Sequence, residues 1–298
     1  MALKAQSMPK EFRSVRASRR ATMVLSYVAM VLLSVLFMFP WFWTMGTSLK
    51  RAPELFIYPP PFVPEIPQWD NYIEVFRRVP FFGRFFINST IVVVLSTGGG
   101  VLSALLVAYS FARFEWRGRD IIFGITLATM MLPDQVTQIP KYLLFKYLKW
   151  MDTIKPLWVP AWFGGGAFSI FLIRQFIMSI PRELDEAAKI DGANPLRVLV
   201  TILLPLMKPV IATISVMSFL WGWNDFMGPL IYLATPEKFT VALGMRYFDV
   251  TPAGQSWGMP TDHLLMAASV MSTLPIIILF FSAQRYFVQG IVMSGIKG

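Results

Sequence analysis

Four long stretches of this chain contain no charged residue, and they constrain its fold more than any other feature. They cover residues 21–49, 85–112, 156–173 and 264–284. A helix of about 20 apolar residues crosses the ~30 Å hydrocarbon core of a bilayer, and each stretch reaches or exceeds the ~18-residue threshold for such a helix. The sequence therefore predicts an integral membrane protein.

Two weaker apolar runs complete the predicted set of membrane spans. Residues 121–133 continue past Asp134 to Pro140, and residues 209–224 continue past Asp225 to Thr235. Only helices or closed barrels satisfy their backbone polar groups in lipid, and barrel strands would alternate in hydrophobicity, which these runs do not. The predicted fold is all-α, with six transmembrane helices near residues 22–47, 85–112, 120–145, 156–180, 209–234 and 263–285.

The first run is predicted to stay in the mature protein. It is much longer than the 7–15-residue apolar core of a signal peptide, and no small-residue cleavage site follows it. The chain is thus divided into a basic N-terminal segment (1–20), a transmembrane domain (21–290) and a C-terminal tail (291–298). Only 15% of the residues are charged, against about 25% in soluble domains.

The distribution of Lys and Arg predicts the orientation. With six spans, both termini and the polar loop 181–208 lie on one side, which carries 16 of the 27 basic residues. Basic residues favour the cytoplasmic side, and the bias is strongest before the first span, which usually dominates. Both termini and the loop 181–208 are therefore predicted to be cytoplasmic. Since topology accounts for the net charge of +10, nucleic-acid binding is not expected.

The residue types do not assemble into a catalytic set. The chain has no cysteine and one histidine, His263, so neither a thiolate nucleophile nor a nucleophile–base–acid group can be built. No phosphate-binding loop is present either, because "GIVMSGIKG" (290–298) lacks the Gly-Lys-Ser/Thr ending. We predict a non-catalytic protein with no metal or cofactor of its own.

Ionisable residues inside a membrane are candidates for function. Asp134 follows Pro133 in the third predicted span, and Asn224 and Asp225 interrupt the fifth. These three residues are candidates for lining a polar pathway, and the alternative is that they bond to neighbouring helices. Two triple-glycine runs, 98–100 and 164–166, lie inside spans. The first is interpreted as a close-packing surface, while for the second an unwound segment fits equally well.

The loop 181–208 has the chemistry of a short helix, a sharp turn and a second helix. Ser179 can cap the first helix, with Pro181 in its first turn. Gly192 can end it in a left-handed conformation, and Asn194 then starts the next helix. Acidic residues favour the positive end of the first helix; they are Glu183, Asp185 and Glu186. Small side chains at Ala187 and Ala188 let another surface come close.

"EAAKIDGA" (186–193) followed by "ILLPLMKP" (202–209) resembles the Glu-Ala-Ala loop of bacterial binding-protein-dependent ABC transporter permeases. The residues that match the motif are Glu186, Ala187, Ala188, Gly192, Ile202, Leu204 and Pro205. Other stretches resemble the smaller permease of maltose-type importers, namely "NSTIVVV…AYSFARFEWRGR" (88–119), "IFLIRQF" (170–176), "WNDFMGPL" (223–230) and "QRYFVQGIVMSGIKG" (284–298). The resemblance extends over residues ~20–298.

The resemblance implies a permease subunit of an ATP-driven importer in the bacterial inner membrane. Its expected partners, besides membrane lipid, are a second related permease, two cytoplasmic ATPase subunits that bind ATP and Mg, and an extracytoplasmic solute-binding protein. Residues 182–191 would form the helix that couples the permease to an ATPase. The implied coupling residues are Glu183, Asp185, Glu186, Ala187, Ala188, Asp191, Gly192, Ala193, Leu204 and Pro205. The implied contacts of the C-terminal segment with the ATPase are Gln289, Gly290, Gly295 and Lys297.

The cargo implied by the resemblance is a di- or oligosaccharide. Four lysines on the predicted outer side go against the positive-inside trend; they are Lys141, Lys146, Lys149 and Lys155. They suggest an acidic saccharide as cargo. The alternatives are that the lysines reach to lipid headgroups or pair with acidic groups on the binding protein. The alternative function for the whole chain is a free-standing secondary transporter. Such a protein would need its own coupling-ion site and would have no use for a docking helix.

Overall fold

The computed structural model describes the backbone of residues 10–250 and 261–294, and side chains over 22–248 and 261–284. Within these ranges the chain forms helices and no strand, as predicted. The α-helices are α1 (Lys10–Ser48), α2 (Asp70–Arg78), α3 (Phe82–Arg113), α4 (Arg119–Ala128), α5 (Asp134–Tyr147), α6 (Lys155–Trp158), α7 (Ala167–Ser179), α8 (Glu183–Ile190), α9 (Pro195–Val198), α10 (Leu204–Leu206), α11 (Lys208–Trp223), α12 (Met227–Tyr232), α13 (Val241–Gly244), α14 (Tyr247–Val250) and α15 (Asp262–Ser294).

Four helical segments of the described chain are long and apolar enough to cross a membrane. They are Thr22–Ser48, Phe82–Arg113, Lys155–Ser179 and Asp262–Gln284, and they agree with the first, second, fourth and sixth predicted spans. A fifth is counted if Pro195–Leu206 and Lys208–Trp223 are taken together, although these two parts meet at an angle of 80°.

The third predicted span, residues 120–145, is not one continuous helix among the described residues. Helix α4 ends at Ala128, a 3-10 turn covers Thr129–Met131, and α5 begins at Asp134. Pro133 explains the break, because proline disfavours helical geometry in the residue before it. Leu132 accordingly has an extended backbone, with ψ of 119°. The fifth predicted span is also interrupted, since α11 ends at Trp223 and α12 starts at Met227.

The two glycine runs meet in the middle of the molecule. All three residues of Gly164–Gly166 have positive φ, at 104°, 65° and 84°, so this run is the unwound break before α7. A Cβ added at Gly165 would collide with the carbonyl oxygen of Gly100, and one at Gly99 with the ring of Trp162. The packing interpretation therefore holds at Gly99 and Gly100, whereas Gly98 has no atom within 4 Å of its would-be Cβ.

The proline-rich segment 50–80 contains short helical elements. A 3-10 turn forms at Ala52–Phe56, and α2 begins at Asp70, shortly after the last proline of the run. Tyr72 turns inward and its hydroxyl lies 2.8 Å from Ser48 Oγ, whereas Trp69 stays 65% exposed. Of the two, Trp69 is therefore the one available to the membrane interface.

Helix α3 lies at the centre of the fold and packs against both α7 and α11. One apolar core surrounds its second half, where Ala104 and Ala108 contact α7 and the residues around Leu203. A second core surrounds its first half, where Phe82 and Phe85 pack against α15 and the segment around Val241. The same helix thus belongs to the packing at both ends of the molecule.

Candidate functional site

The polar segment between α7 and α11 forms the predicted helix–turn–helix. Helix α8 runs from Glu183 to Ile190 and carries its three carboxylates in the first turn. It ends at Gly192, which has φ of 77°, and the Ala193 amide donates to the Ala188 carbonyl at 2.9 Å. This is the expected left-handed helix terminus. The predicted cap at Ser179 is wrong, because its hydroxyl donates to the Phe176 carbonyl within α7 instead.

The second half of the segment returns the chain to the membrane domain. Asn194 caps α9 as predicted, its Oδ1 accepting the Arg197 amide at 2.8 Å. A π-helical turn at Leu199–Leu203 follows, and α10 contains Leu204 and Pro205. Since proline cannot donate a backbone hydrogen bond, helical pairing weakens at this point, and the chain bends into α11 directly afterwards.

Helix α8 has one face against its own chain and one face exposed. Asp185 and Ala188 are 7% exposed, so the inward face includes one of the two alanines predicted to meet another surface. Ala188 therefore packs against its own chain, whereas Ala187 is exposed and Ile190 is 86% exposed. The contact of the two alanines with an ATPase stays a prediction. The other predicted coupling residues are mostly exposed, with Leu204 and Ala193 half-buried; the exposed ones are Glu183, Glu186, Asp191, Gly192 and Pro205.

The inward face of α8 is held by the end of α3. Arg113 Nε lies 2.6 Å from Asp185 Oδ2, and the two side chains are only 6% and 10% exposed. Arg113 Nη2 also donates to the Ile180 carbonyl at 2.9 Å, and the Tyr109 hydroxyl donates to the Pro195 carbonyl at 3.1 Å. Three points of the polar segment, before, within and after α8, are thus bound to one helix. Sequence reasoning did not identify Arg113 or Tyr109, although both lie in the quoted "AYSFARFEWRGR" stretch.

A cavity of about 800 Å³ lies between α5, α6, α11 and α12. Asp134 and Asp225 both line it, so the structure brings two of the three predicted pathway residues together. Lys141 lies 3.6 Å from Asp134, and Asp225 Oδ1 accepts the Gly228 amide at 3.1 Å. The cavity lining therefore carries two carboxylates and one ammonium group.

Asn224, the third predicted pathway residue, is not among the lining residues of this cavity. Its side-chain amide donates to the Leu220 carbonyl at 2.8 Å, in the last turn of α11. Aromatic side chains that sequence reasoning missed form part of the wall instead, among them Trp150, Trp221 and Tyr232. Trp221 lies two positions before the "WNDFMGPL" stretch, so its nearness to Asp225 in the sequence was the available signal.

The outer lysines fall into two groups. Lys141 lines the cavity, whereas Lys146, Lys149 and Lys155 are exposed and do not line it. Among the residues that the structure describes, these three form no ion pair. The acid near them is already engaged, since Asp152 accepts Lys238 Nζ at 2.7 Å.

The C-terminal residues predicted to contact an ATPase are described only in part. Gln289 and Gly290 belong to the backbone of α15, which runs to Ser294, and Gly295 and Lys297 lie outside the described residues. No cluster of three His, Cys, Asp or Glu residues suited to a metal ion occurs in the parts of the chain that were described.

The family model and the similar proteins are all membrane components of transport systems. The family model described as "Binding-protein-dependent transport system inner membrane component" matches residues 99–293. The arabinooligosaccharides transport system permease protein AraQ of Bacillus subtilis (strain 168) is 31% identical over 270 residues, covering 90% of this chain and 93% of the relative. The sn-glycerol-3-phosphate transport system permease protein UgpE of Pectobacterium atrosepticum is 29% identical over 283 residues, covering 93% and 98%.

A solved structure has the same fold. It is a chain of a bacterial ABC transporter involved in the import of the acidic polysaccharide alginate, with a TM-score of 0.79 and 24% identity, covering 91% of this chain and 98% of that chain.

Proposed function

Because the chain belongs to the family of binding-protein-dependent transport system inner membrane components, it is a multi-pass permease subunit, and we propose that it forms half of the solute pathway of an ATP-driven saccharide importer. The other half comes from a second, related permease. Two cytoplasmic ATPase subunits bind ATP and Mg and drive the movement, while an extracytoplasmic binding protein delivers the solute. This chain itself performs no chemistry, and both termini face the cytoplasm.

The observation that carries the proposal is the two-faced helix α8. This short polar helix leaves Ile190 86% exposed, so its outward face presents an apolar side chain. Its inward face is occupied by the ion pair between Arg113 and Asp185, so only the outward face can enter a groove of an ATPase. Residues 182–191, with Ala187 and Ile190 outward, are the proposed coupling helix. Residues 289–297 are a second proposed contact with the ATPase.

ATP binding then acts on the permease through this helix. Closure of the two ATPases brings the coupling helices together, and the membrane helices move as rigid groups between an inward-open and an outward-open arrangement. Such a cycle needs ligands that bind one arrangement better than the other. ATP is such a ligand on the cytoplasmic side, and the loaded binding protein is such a ligand on the outer side.

The proposed cargo site is the cavity at Asp134 and Asp225. Carboxylates accept hydrogen bonds from sugar hydroxyl groups, and the aromatic rings of Trp150 and Trp221 offer flat apolar surface. Similar proteins named for arabinooligosaccharides and for glycerol-3-phosphate support a sugar-like cargo. Since the lining holds two carboxylates and one ammonium, a neutral saccharide is the first candidate.

An acidic saccharide is the second candidate cargo. The three unpaired outer lysines favour it, and so does the shared fold with a transporter of alginate. The same lysines could instead pair with an acidic docking face on the binding protein, and in that case the cargo need not be acidic.

Purification in mild detergent tests the assembly. The tagged permease is expected to co-purify with a second permease and two ATPase subunits when all are co-expressed. In proteoliposomes it is expected to transport solute only with ATP and the binding protein. Transport by the isolated chain, driven by an ion gradient, would instead identify a secondary transporter.

A further inference from the structure

Helix α3 is anchored by side-chain bonds at both of its ends. It contains 32 residues, which corresponds to about 48 Å at 1.5 Å per residue, so it reaches from one side of the membrane domain to the other. At its inner end, Tyr109 and Arg113 lie four residues apart and therefore on the same face. They bind Pro195, Asp185 and the Ile180 carbonyl. The coupling segment is thus fixed to α3 at three points.

The outer end of α3 is bonded to a segment more than 140 residues away in sequence. The Asn88 side-chain amide donates to the carbonyls of Glu237 and Phe239 at 2.9 and 3.0 Å. Next to it, the Ser89 hydroxyl accepts the Val241 amide at 2.8 Å, and Ser89 is only 1% exposed. These bonds use backbone groups, so they fix the position of the chain at 237–241 rather than of one side chain.

The outer segment 234–241 extends this connection to the face where the lysines lie. Lys238 donates to both the backbone carbonyl and the carboxylate of Asp152, each at 2.7 Å. Asp152 belongs to the turn between α5 and α6, which also carries Lys149 and precedes Lys155. A continuous set of buried or bonded contacts therefore runs from α8, along α3, to the turn that carries the outer lysines.

We propose that α3 is the element through which the coupling segment and the outer face move together, and that Arg113, Tyr109 and Asn88 are positioning residues for that coupling. The proposal rests on the function inferred above. Helices α7 and α11 flank the coupling segment in sequence, yet α7 follows an unwound glycine break and α11 follows an 80° bend. Helix α3 is continuous from Phe82 to Arg113, through its own glycine run at 98–100, so displacement at one end is transmitted to the other.

The test uses variants that remove hydrogen bonds at one end of α3 without leaving a buried charge unpaired. Arg113→Met is unsuitable, because it would leave the buried Asp185 carboxylate without its partner and so destabilise the fold. Tyr109→Phe combined with Arg113→Lys keeps the charge pair and removes the bonds to the Pro195 and Ile180 carbonyls. Asn88→Leu removes the two bonds from Asn88 to the carbonyls of Glu237 and Phe239 with a side chain of similar shape, and it leaves the Ser89 bond to Val241 in place. Arg119→Gln is the control, because it removes a half-buried arginine that pairs with the exposed Asp120.

The complex is reconstituted with its ATPases, and ATP hydrolysis is measured with and without the loaded binding protein, together with uptake. For the assembled Asn88→Leu and Tyr109→Phe/Arg113→Lys complexes we expect unstimulated hydrolysis within about twofold of wild type and at least a threefold loss of stimulation. When all three changes are combined, stimulation is expected to fall no further than in the worse variant, because both ends act through one element. Wild-type stimulation in both assembled variants, or losses that multiply, would overturn the proposal. Failure of the wild-type chain to assemble with ATPases would count against the proposed function instead.

Discussion

Asp152 and Lys238 lie 86 residues apart in sequence, and Lys238 Nζ donates to the Asp152 carboxylate at 2.7 Å. The same carboxylate accepts the Thr235 hydroxyl at 2.6 Å and the amides of Thr235 and Ala234. Asp152 has φ of 54°, a left-handed conformation that is uncommon for non-glycine residues, although aspartate adopts it more often than most. This one side chain thus joins the α5–α6 turn to the segment after α12.

Replacing Asp152 by Asn is expected to loosen this junction. The hydrogen bonds from Lys238 and Thr235 hold the pKa of Asp152 far below its usual range. A depressed pKa means that the ionised carboxylate stabilises the folded chain above the unfolded value of about 3.9, and that this contribution is lost as the pH falls through the folded value. Hydrogen exchange of residues 148–155 and 232–241 should therefore accelerate in Asp152→Asn at neutral pH, and in wild type only in strong acid. Glu237→Gln serves as control, and equal exchange in both variants would contradict the role of Asp152.

Helix α8 allows two neighbouring alanines to be tested against each other. Ala187→Trp adds a large ring to the exposed face and should abolish co-purification with the ATPases while the permease itself stays folded. Ala188→Trp adds the ring inside a packed core, where Ala188 is 7% exposed, so it should lower the yield of folded permease as well. Thermal stability and ATPase binding are measured for each. Normal ATPase binding by Ala187→Trp would exclude the outward face as the contact.

Gly192 terminates α8 with φ of 77°. Gly192→Val forces a β-branched residue into the left-handed region, where even ordinary residues lose about 1–2 kcal/mol. We expect α8 to tilt and the stimulated ATPase activity to drop several-fold, with membrane insertion unchanged. Gly192→Asn is the matched control because asparagine tolerates this conformation, and it should retain most activity. If valine and asparagine behave alike, the left-handed terminus is not what positions the coupling helix.

Substitution of the unpaired outer lysines tests whether they bind the solute-binding protein or attract an acidic cargo. Replacing Lys146, Lys149 and Lys155 together with Gln should raise the concentration of binding protein needed for half-maximal stimulation by several-fold, and weaken the salt dependence of that value. Maximal uptake of a neutral oligosaccharide should stay close to wild type. Lys141→Gln is the control, since Lys141 faces the cavity and Asp134. A selective loss of acidic saccharide uptake in the triple variant would instead support an acidic cargo.

The C-terminal segment is predicted to contact an ATPase. Deletion of residues 290–298 should lower stimulated ATP hydrolysis more than it lowers the amount of permease in the membrane. Membrane fractions and purified complex are assayed in parallel. If hydrolysis per assembled complex is unchanged, the segment has no part in coupling.

The chain's own sequence determined its class and its local structure. The charge-free runs predict membrane helices because lipid excludes charges and unpaired backbone groups. Gly192 and Asn194 predict the turn between α8 and α9, since the left-handed region favours glycine and an asparagine side chain caps the next helix. Each of these inferences depends on residues within about one helical turn, so the linear sequence contained the necessary chemistry. The break at Pro133 belongs here too, because a proline in an apolar run was visible evidence against an unbroken third span.

Tertiary structure alone decided which side of each helix is buried against the rest of the chain and which side is exposed. Ala187 and Ala188 are identical in type and adjacent, and only the burial of Asp185 against Arg113, 72 positions earlier in the numbering, turns one inward and the other outward. Likewise Asp134 and Asp225 share a cavity because α5 and α12 are brought together by packing. Burial of a polar side chain depends on which distant groups can pair with it, and that pairing exists only once the helices have packed.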